Sequence, residues 1–280
     1  MTMTKTVQSV FAPVEPKPKK KKSRRNPLYE PQDPVKSVHI LSMGAGVQTT
    51  AMLLKYGKTG RYDYIVFADT GSEMPGTYEY IKKYLKPYAA ECGIPWVTVG
   101  YLNGESIYDF YMANEALPLK MTRECTREFK IRPINRFARS LGCTESNPMI
   151  EDLGISWDEA KRANFSRDEP YIAKEFPFVD DRVTREQCYK MITDHGWPVP
   201  VKSGCYFCPF KTRSYFRQLA KEQPDLFARA MMLEKNDRKY PNFPLDGRAP
   251  LQNILDNAEL DLKQVKDTPE ESCMSGSCGK

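Results

Sequence analysis

The chain has 280 residues, enough for one domain of ordinary size with a real core plus extensions. It carries 42 basic and 36 acidic residues, but eight of the basic and one of the acidic residues fall in residues 1–25, so the body is near neutral and the excess is a tail. No apolar run approaches membrane-spanning length and no hydrophobic signal segment is present, so a soluble, cytoplasmic protein without a membrane partner is expected.

Pro13, Pro16, Pro18 and the run from Lys19 to Arg25 leave residues 1–36 little apolar surface to bury, which predicts a disordered basic tail. Such a tail either contacts nucleic-acid phosphates non-specifically or serves only solubility.

Val38 to Leu41 reads as a short buried strand, and Val47, Met52, Leu53 and Leu54 fall at helical spacing. Between them, Ser42-Met43-Gly44-Ala45-Gly46-Val47-Gln48-Thr49-Thr50 is a Gly-rich turn into a helix, where free backbone N–H groups and the helix dipole favour an anion. Gly44 and Gly46 would let a ligand approach the backbone, and Ser42, Thr49 and Thr50 offer hydroxyls. An ordinary tight turn is the competing reading. Asp63 to Ala68 predicts a second strand, ending in Asp69-Thr70-Gly71-Ser72-Glu73. A long helix then runs to about Cys92-Gly93, and Trp96 to Val99 predicts a third strand. That alternation predicts a parallel α/β sheet, Rossmann-like, with its ligand crevice at the carboxyl ends of the strands.

Arg123 to Arg136 holds five cations around Cys125, a setting for phosphate or sulfate and for a reactive thiolate, or simply a solvated helix face. Ser156 with Glu159, and Thr184 with Gln187, predict capping boxes; the second helix carries Cys188 and ends at Gly196. Tyr171 to Val179 reads as an extended connection. Cys205-Tyr206-Phe207-Cys208 is the strongest metal signal, suited to one tetrahedral ion or two corners of an iron–sulfur cube, and a redox pair is the alternative. Cys125 and Cys188 bring the ligand count to four, whereas Cys92, Cys143, His39 and His195 read as structural. Thr212 to Asn236 predicts two helices split by Pro224, with aromatic and basic residues interleaved for core packing or for single-stranded nucleic acid. Cys273 and Cys278 lie on a Gly/Ser-rich end, as thiol carriers or bystanders.

Across residues 37–235 these parts resemble the adenine nucleotide alpha hydrolases, which include PP-loop ATP pyrophosphatases and phosphoadenylyl-sulfate reductases. The first loop looks like the pyrophosphate loop. Phe67-Ala68-Asp69-Thr70-Gly71 looks like the reductases' Asp-Thr-Gly, and Cys125, Lys130, Pro133 and Arg136 match a reductase segment. Gln48 stands where many ATP pyrophosphatases carry Asp, and Glu124 where the reductases carry the first cysteine of a pair. The resemblance implies a nucleotide-binding domain over 37–150, a helical cysteine-bearing subdomain over 151–255 and a flexible end over 256–280.

It further implies an ATP-dependent, adenylating sulfur transfer to a nucleic acid, tRNA or DNA. ATP and Mg2+ would bind at Ser42, Gly44, Gly46, Gln48, Thr49, Asp69 and Arg136, with Asp69, Lys130, Cys273 and Cys278 in catalysis. Cys125, Cys188, Cys205 and Cys208 would hold a 4Fe-4S cluster, with zinc as the alternative. A sulfur donor protein and a second copy in a homodimer are the further partners implied. Two alternatives stand beside this: a sulfonucleotide reductase using Cys273 or Cys278, and a nucleotide-binding subunit of a modification or defence complex.

Overall fold

A computed structural model describes residues 37–163, 169–238 and 243–256. The basic tail and both C-terminal cysteines lie outside the described residues. Five parallel strands form one sheet in the order β3-β2-β1-β4-β5. They are β1 His39–Met43, β2 Tyr64–Asp69, β3 Trp96–Gly100, β4 Met149–Asp152 and β5 Ile172–Glu175. The first three were expected and are displaced by a residue or two.

The central strands are apolar because both of their faces are covered. Leu41, Met43, Ile65 and Phe67 pack with the Val47–Tyr56 helix and with Leu85, Phe178 and Ile192. On the other face, Ile40, Val66 and Ala68 meet Ile134 and Ala138 of the Arg132–Ser140 helix. Leu41 pairs with Ile65 on one side and with Asp152 on the other, so the strand order reverses its direction at β1 and β4. In open α/β sheets a ligand sits at such a reversal, outside the carboxyl ends of the strands.

The segment read as an extended connection contains β5 and a short helix, Pro177–Asp180. The sheet thus takes β4 across the 150/151 position, and β5 lies within 151–255. The chain from Lys36 onward forms one compact unit. A separate helical core is built by the helices Ile107–Ala113, Arg213–Glu222 and Pro224–Asn236, which bury Tyr108, Phe216, Phe227 and Leu233 with Phe207. Packing therefore claims most of the aromatic residues of the 212–236 segment. Thr184 and Gln187 form the expected capping box. Ser156 does not: its side chain makes no cap bond, and the helix it precedes is 3-10, Trp157–Arg162. The Glu159 carboxylate, needed to complete a box, instead accepts from Gln48 and Arg162.

His39 takes the structural role expected of it, in a network around the fully buried Asp152. Arg61 donates to Asp152 at 2.6 Å and to Glu175 at 2.6 Å, and His39 Nε2 lies 2.8 Å from Asp152. Burial alone would raise the Asp152 carboxyl, but His39 and Arg61 hold it below the usual carboxylate range. Its stabilisation is therefore present above pH 3.8 and lost as the pH falls through the depressed value. Arg61→Met should cost about 3 kcal/mol, near the low end for breaking a buried pair because the guanidinium is partly exposed. Urea unfolding at pH 7 measures this, and acid unfolding of the variant should begin at a higher pH than in the parent.

Candidate functional site

The turn after β1 opens the Val47–Tyr56 helix with Gly46 as its cap residue and no side-chain cap bond. Its first N–H groups are thus left to an external acceptor or solvent. Gly46 is extended, φ −98° and ψ −176°, a conformation any residue adopts. The left-handed residue is Ala45, φ +53°. Several expected phosphate donors face the protein instead. Ser42 lies inside β1 opposite Val66. Gln48 donates to Glu159 Oε2 at 3.0 Å, and Thr49 Oγ1 donates to the Gly46 carbonyl at 3.3 Å. The backbone of 44–49, rather than these side chains, is the donor set offered to an anion. The loop after β4 closes on this turn at Gly154, where a Cβ would stand 2.5 Å from Thr49 Cγ2. The two loops meet at the reversal of strand order, where the crevice belongs.

The second loop, after β2, is pinned from several directions. Asp69 Oδ1 accepts from the Gly71 amide at 2.8 Å and from the Tyr78 hydroxyl at 2.7 Å. Gly71 has φ +67°, and a Cβ there would lie 2.7 Å from Ser106 Cβ, so both conformation and space demand glycine. Glu73 forms an antiparallel bridge with Cys205, and Tyr206 N donates to the Ser72 carbonyl at 3.1 Å. The buried Glu73 carboxylate accepts from Gly204 N and pairs with Lys130 Nζ at 3.5 Å. This seats the cysteine turn on the nucleotide side of the sheet. Lys130 itself sits in a π-helical turn, Arg127–Ile131, a local irregularity that recurs at functional sites. Arg136 donates to the Gly100 carbonyl at 2.7 Å, at the carboxyl end of β3.

Three of the four expected thiols share one region. Cys208 N donates to the Cys205 carbonyl at 3.0 Å, closing the turn, and Cys205 Sγ meets Thr70 Oγ1 at 3.3 Å. The Arg123 guanidinium lies 5.0 Å from the Phe210 ring, joining the Cys125 segment to that turn. Burial pushes the Cys125, Cys205 and Cys208 thiols up, and Cys208 acts electrostatically on both of the others. Burial works against the Lys130 ammonium, but Glu73, Cys205 and Cys208 outweigh it and push it up to about 12. Lys202 is pushed down to about 8 by burial, then by Lys211 and Arg185. Cys188 does not join them. It is fully buried among Leu53, Phe178 and Ile192 in the core beneath the sheet, a different cluster from the other three. Cys92 and Cys143 pack against apolar cores, as expected of them.

The donor chemistry of Cys125, Cys205 and Cys208 suits a soft metal centre, since protons held by buried thiols leave readily only to a metal. Among the described residues, the ligand atoms that all lie within 4.8 Å of one another belong to His39, Asp152 and Glu175, not to the thiols. Arg61 already fills that carboxylate set.

From the sequence, Glu73, Lys211 and Gly154 have no assigned role, and Glu159 has only that of a cap partner. Glu73 has a signal in standing beside the Asp-Thr-Gly, whereas the contacts of Gly154 with Thr49 and of Glu159 with Gln48 come only from the fold. Serine at Cys125, Cys205 or Cys208 should each lower the iron taken up on anaerobic reconstitution, because a hydroxyl is a poor soft-metal ligand. Cys188→Ser should keep full iron content and lose about 1–2 kcal/mol of stability by burying a hydroxyl in an apolar core. Iron assay with urea unfolding separates the two classes.

No family model matches the chain. An uncharacterized protein of Methanocaldococcus jannaschii is 23% identical over 177 residues, 58% of this chain and 39% of its own length. The chain thus spans about two fifths of the curated relative it matches. Phosphoadenylyl-sulfate reductase from Candida auris, solved as a phosphate complex, is similar with a TM-score of 0.44 and 18% identity, covering 58% of this chain and 74% of that one. The U34-tRNA thiolase NcsA from Methanococcus maripaludis, solved with its 4Fe-4S cluster, is similar with a TM-score of 0.41 and 13% identity, covering 74% of each chain. These solved chains are members of the PP-loop adenine nucleotide alpha hydrolase superfamily. The Rossmann-like α/β assignment of this chain stands on its own parallel register and its 3-2-1-4-5 strand order.

Proposed function

We propose that this chain is an ATP-dependent sulfur-transfer enzyme that adenylates a nucleic acid and replaces an oxygen with sulfur. The observation that carries the reading is the bridge between Glu73 and Cys205, which seats a buried cysteine turn beside the loops at the carboxyl ends of β1 and β2. A nucleotide crevice and a soft-metal donor set then share one site.

In this reading the backbone N–H groups of 44–49 hold the polyphosphate, and the Asp69 carboxylate would be an oxygen ligand for Mg2+. A carbonyl oxygen of the nucleic-acid base attacks the α-phosphorus, and pyrophosphate leaves. Sulfide sulfur then attacks the activated carbon, and AMP leaves with the former carbonyl oxygen. Cys125, Cys205 and Cys208 would hold the 4Fe-4S cluster, which when bound would supply the sulfur chemistry of the transfer. Lys130 and Arg136 offset the negative charge that develops on the phosphates. Cys188 is not needed as a ligand. The reductase reading places its nucleophile on Cys273 or Cys278, and no observation in the described residues favours it.

The test is anaerobic incubation of iron-loaded protein with ATP, sulfide and unmodified tRNA, followed by nucleoside mass spectrometry. AMP, pyrophosphate and a thionucleoside are expected together; AMP without thiolation, or neither, would remove the proposal. Gly46→Val should abolish ATP binding, because its backbone conformation suits any residue while a side chain there would take the space of the phosphates; a nucleotide titration on a variant shown folded by circular dichroism measures this. Deleting residues 1–25 removes a net seven positive charges, so tRNA binding should weaken and its salt dependence flatten, while ATP binding persists.

A further inference from the structure

Lys211 follows the cysteine turn, and its amide donates to the Cys208 carbonyl at 2.9 Å. Its side chain is 4% exposed, and Nζ has no hydrogen-bond partner among the described residues. An ammonium has three N–H donors and no acceptor, so all three go unmet among the described residues. The nearby carboxylate is engaged elsewhere: Glu73 pairs with Lys130 and accepts from Gly204. Around Lys211 stand the Tyr215 ring, 4.4 Å from Nζ, the thiols of Cys208 and Cys205, and the like charges of Lys130 and Lys202. Burying an unpaired cation is a heavy cost that apolar residues of the same volume avoid. A side chain kept for packing alone would be methionine or leucine.

We propose that Lys211 is a cationic contact for an anionic sulfur bound at Cys125, Cys205 and Cys208. The sulfur is either a bridging sulfide of the iron–sulfur group or a hydrosulfide held beside the thiols. The inference rests on the three-cysteine reading above and adds a positioning residue to it. The ammonium meets the negative charge that such a centre concentrates in a dry site, and its N–H groups find acceptors on sulfur. Lys130 has Glu73 as a counter-charge, whereas Lys211 has no hydrogen-bond partner among the described residues, so its charge is available to the sulfur.

The test compares the full-length parent with Lys211→Met, which keeps the volume and the contact with Tyr215, and with Lys211→Gln in case methionine fails to pack. Metal-free Lys211→Met should melt at a higher temperature than the parent, because it loses an unsatisfied charge. After anaerobic loading with ferrous iron and sulfide, it should retain severalfold less iron and acid-labile sulfide. Its cluster should titrate at a more negative potential, since a cation beside it favours the reduced state. Loading with sulfide alone separates the two sources. Sulfide retained by the iron-free parent and lost from the variant assigns a hydrosulfide, and sulfide retained only with iron assigns the cluster. A parent that loads iron while the variant loads equally, at the same potential, overturns the role of Lys211 and leaves the cluster standing. A variant less stable than the parent when metal-free, with its potential unmoved, makes Lys211 a structural residue. A parent that retains neither iron nor sulfide removes the three-cysteine reading and this inference together.

Discussion

A single buried carboxylate, Glu73, holds the two halves of this molecule in register. One oxygen faces Lys130 and the other the amide of Gly204, while its backbone bridges to Cys205. Through it, the loop after β2, the π-helical turn and the cysteine turn become one surface. Remove that carboxylate and the half-buried Lys130 loses its counter-charge, and the amide of Gly204 its acceptor. The crevice at the reversal of strand order would remain, but its chemistry would lie elsewhere.

Around Glu73 the site keeps charges and thiols under tension. The buried Cys205 thiol and the half-buried Cys125 and Cys208 thiols are pushed up, and Lys130, Lys202 and Lys211 gather near them. On the other side, Gln48 donates to Glu159, which also faces Arg185 at 3.6 Å, and Arg185 and Glu159 in turn act on Lys202. Polar groups thus run from the turn after β1 to the cysteine turn without crossing the apolar core. Such an arrangement costs stability, and a fold keeps it where an anion completes it.

The frame was legible because its causes are local. Strands β1, β2 and β3 declare themselves by short apolar runs, and Gly71 announces a turn that nothing larger fits. β4 and β5 are four residues each, with Asp152, Lys174 and Glu175 inside them, so their pattern is too short and too polar to read. The site was legible by halves. Cys205 and Cys208 stand out by spacing, but whether Cys125 or Cys188 joins them depends on which side of the sheet each helix packs. Ser156 shows the same limit: its capping pattern was present, and long-range partners of Glu159 decided otherwise. Lys211 carried no sequence signal at all, because an unpaired cation is unusual only once it is buried.

If the nucleotide crevice and the cysteine centre form one site, each must sense the other. Electron paramagnetic resonance of the reduced, iron-loaded protein, recorded with and without a non-hydrolysable ATP analogue, tests this directly. A shift in the g values on adding the analogue is the expected result. Identical spectra at saturating nucleotide would contradict a shared site.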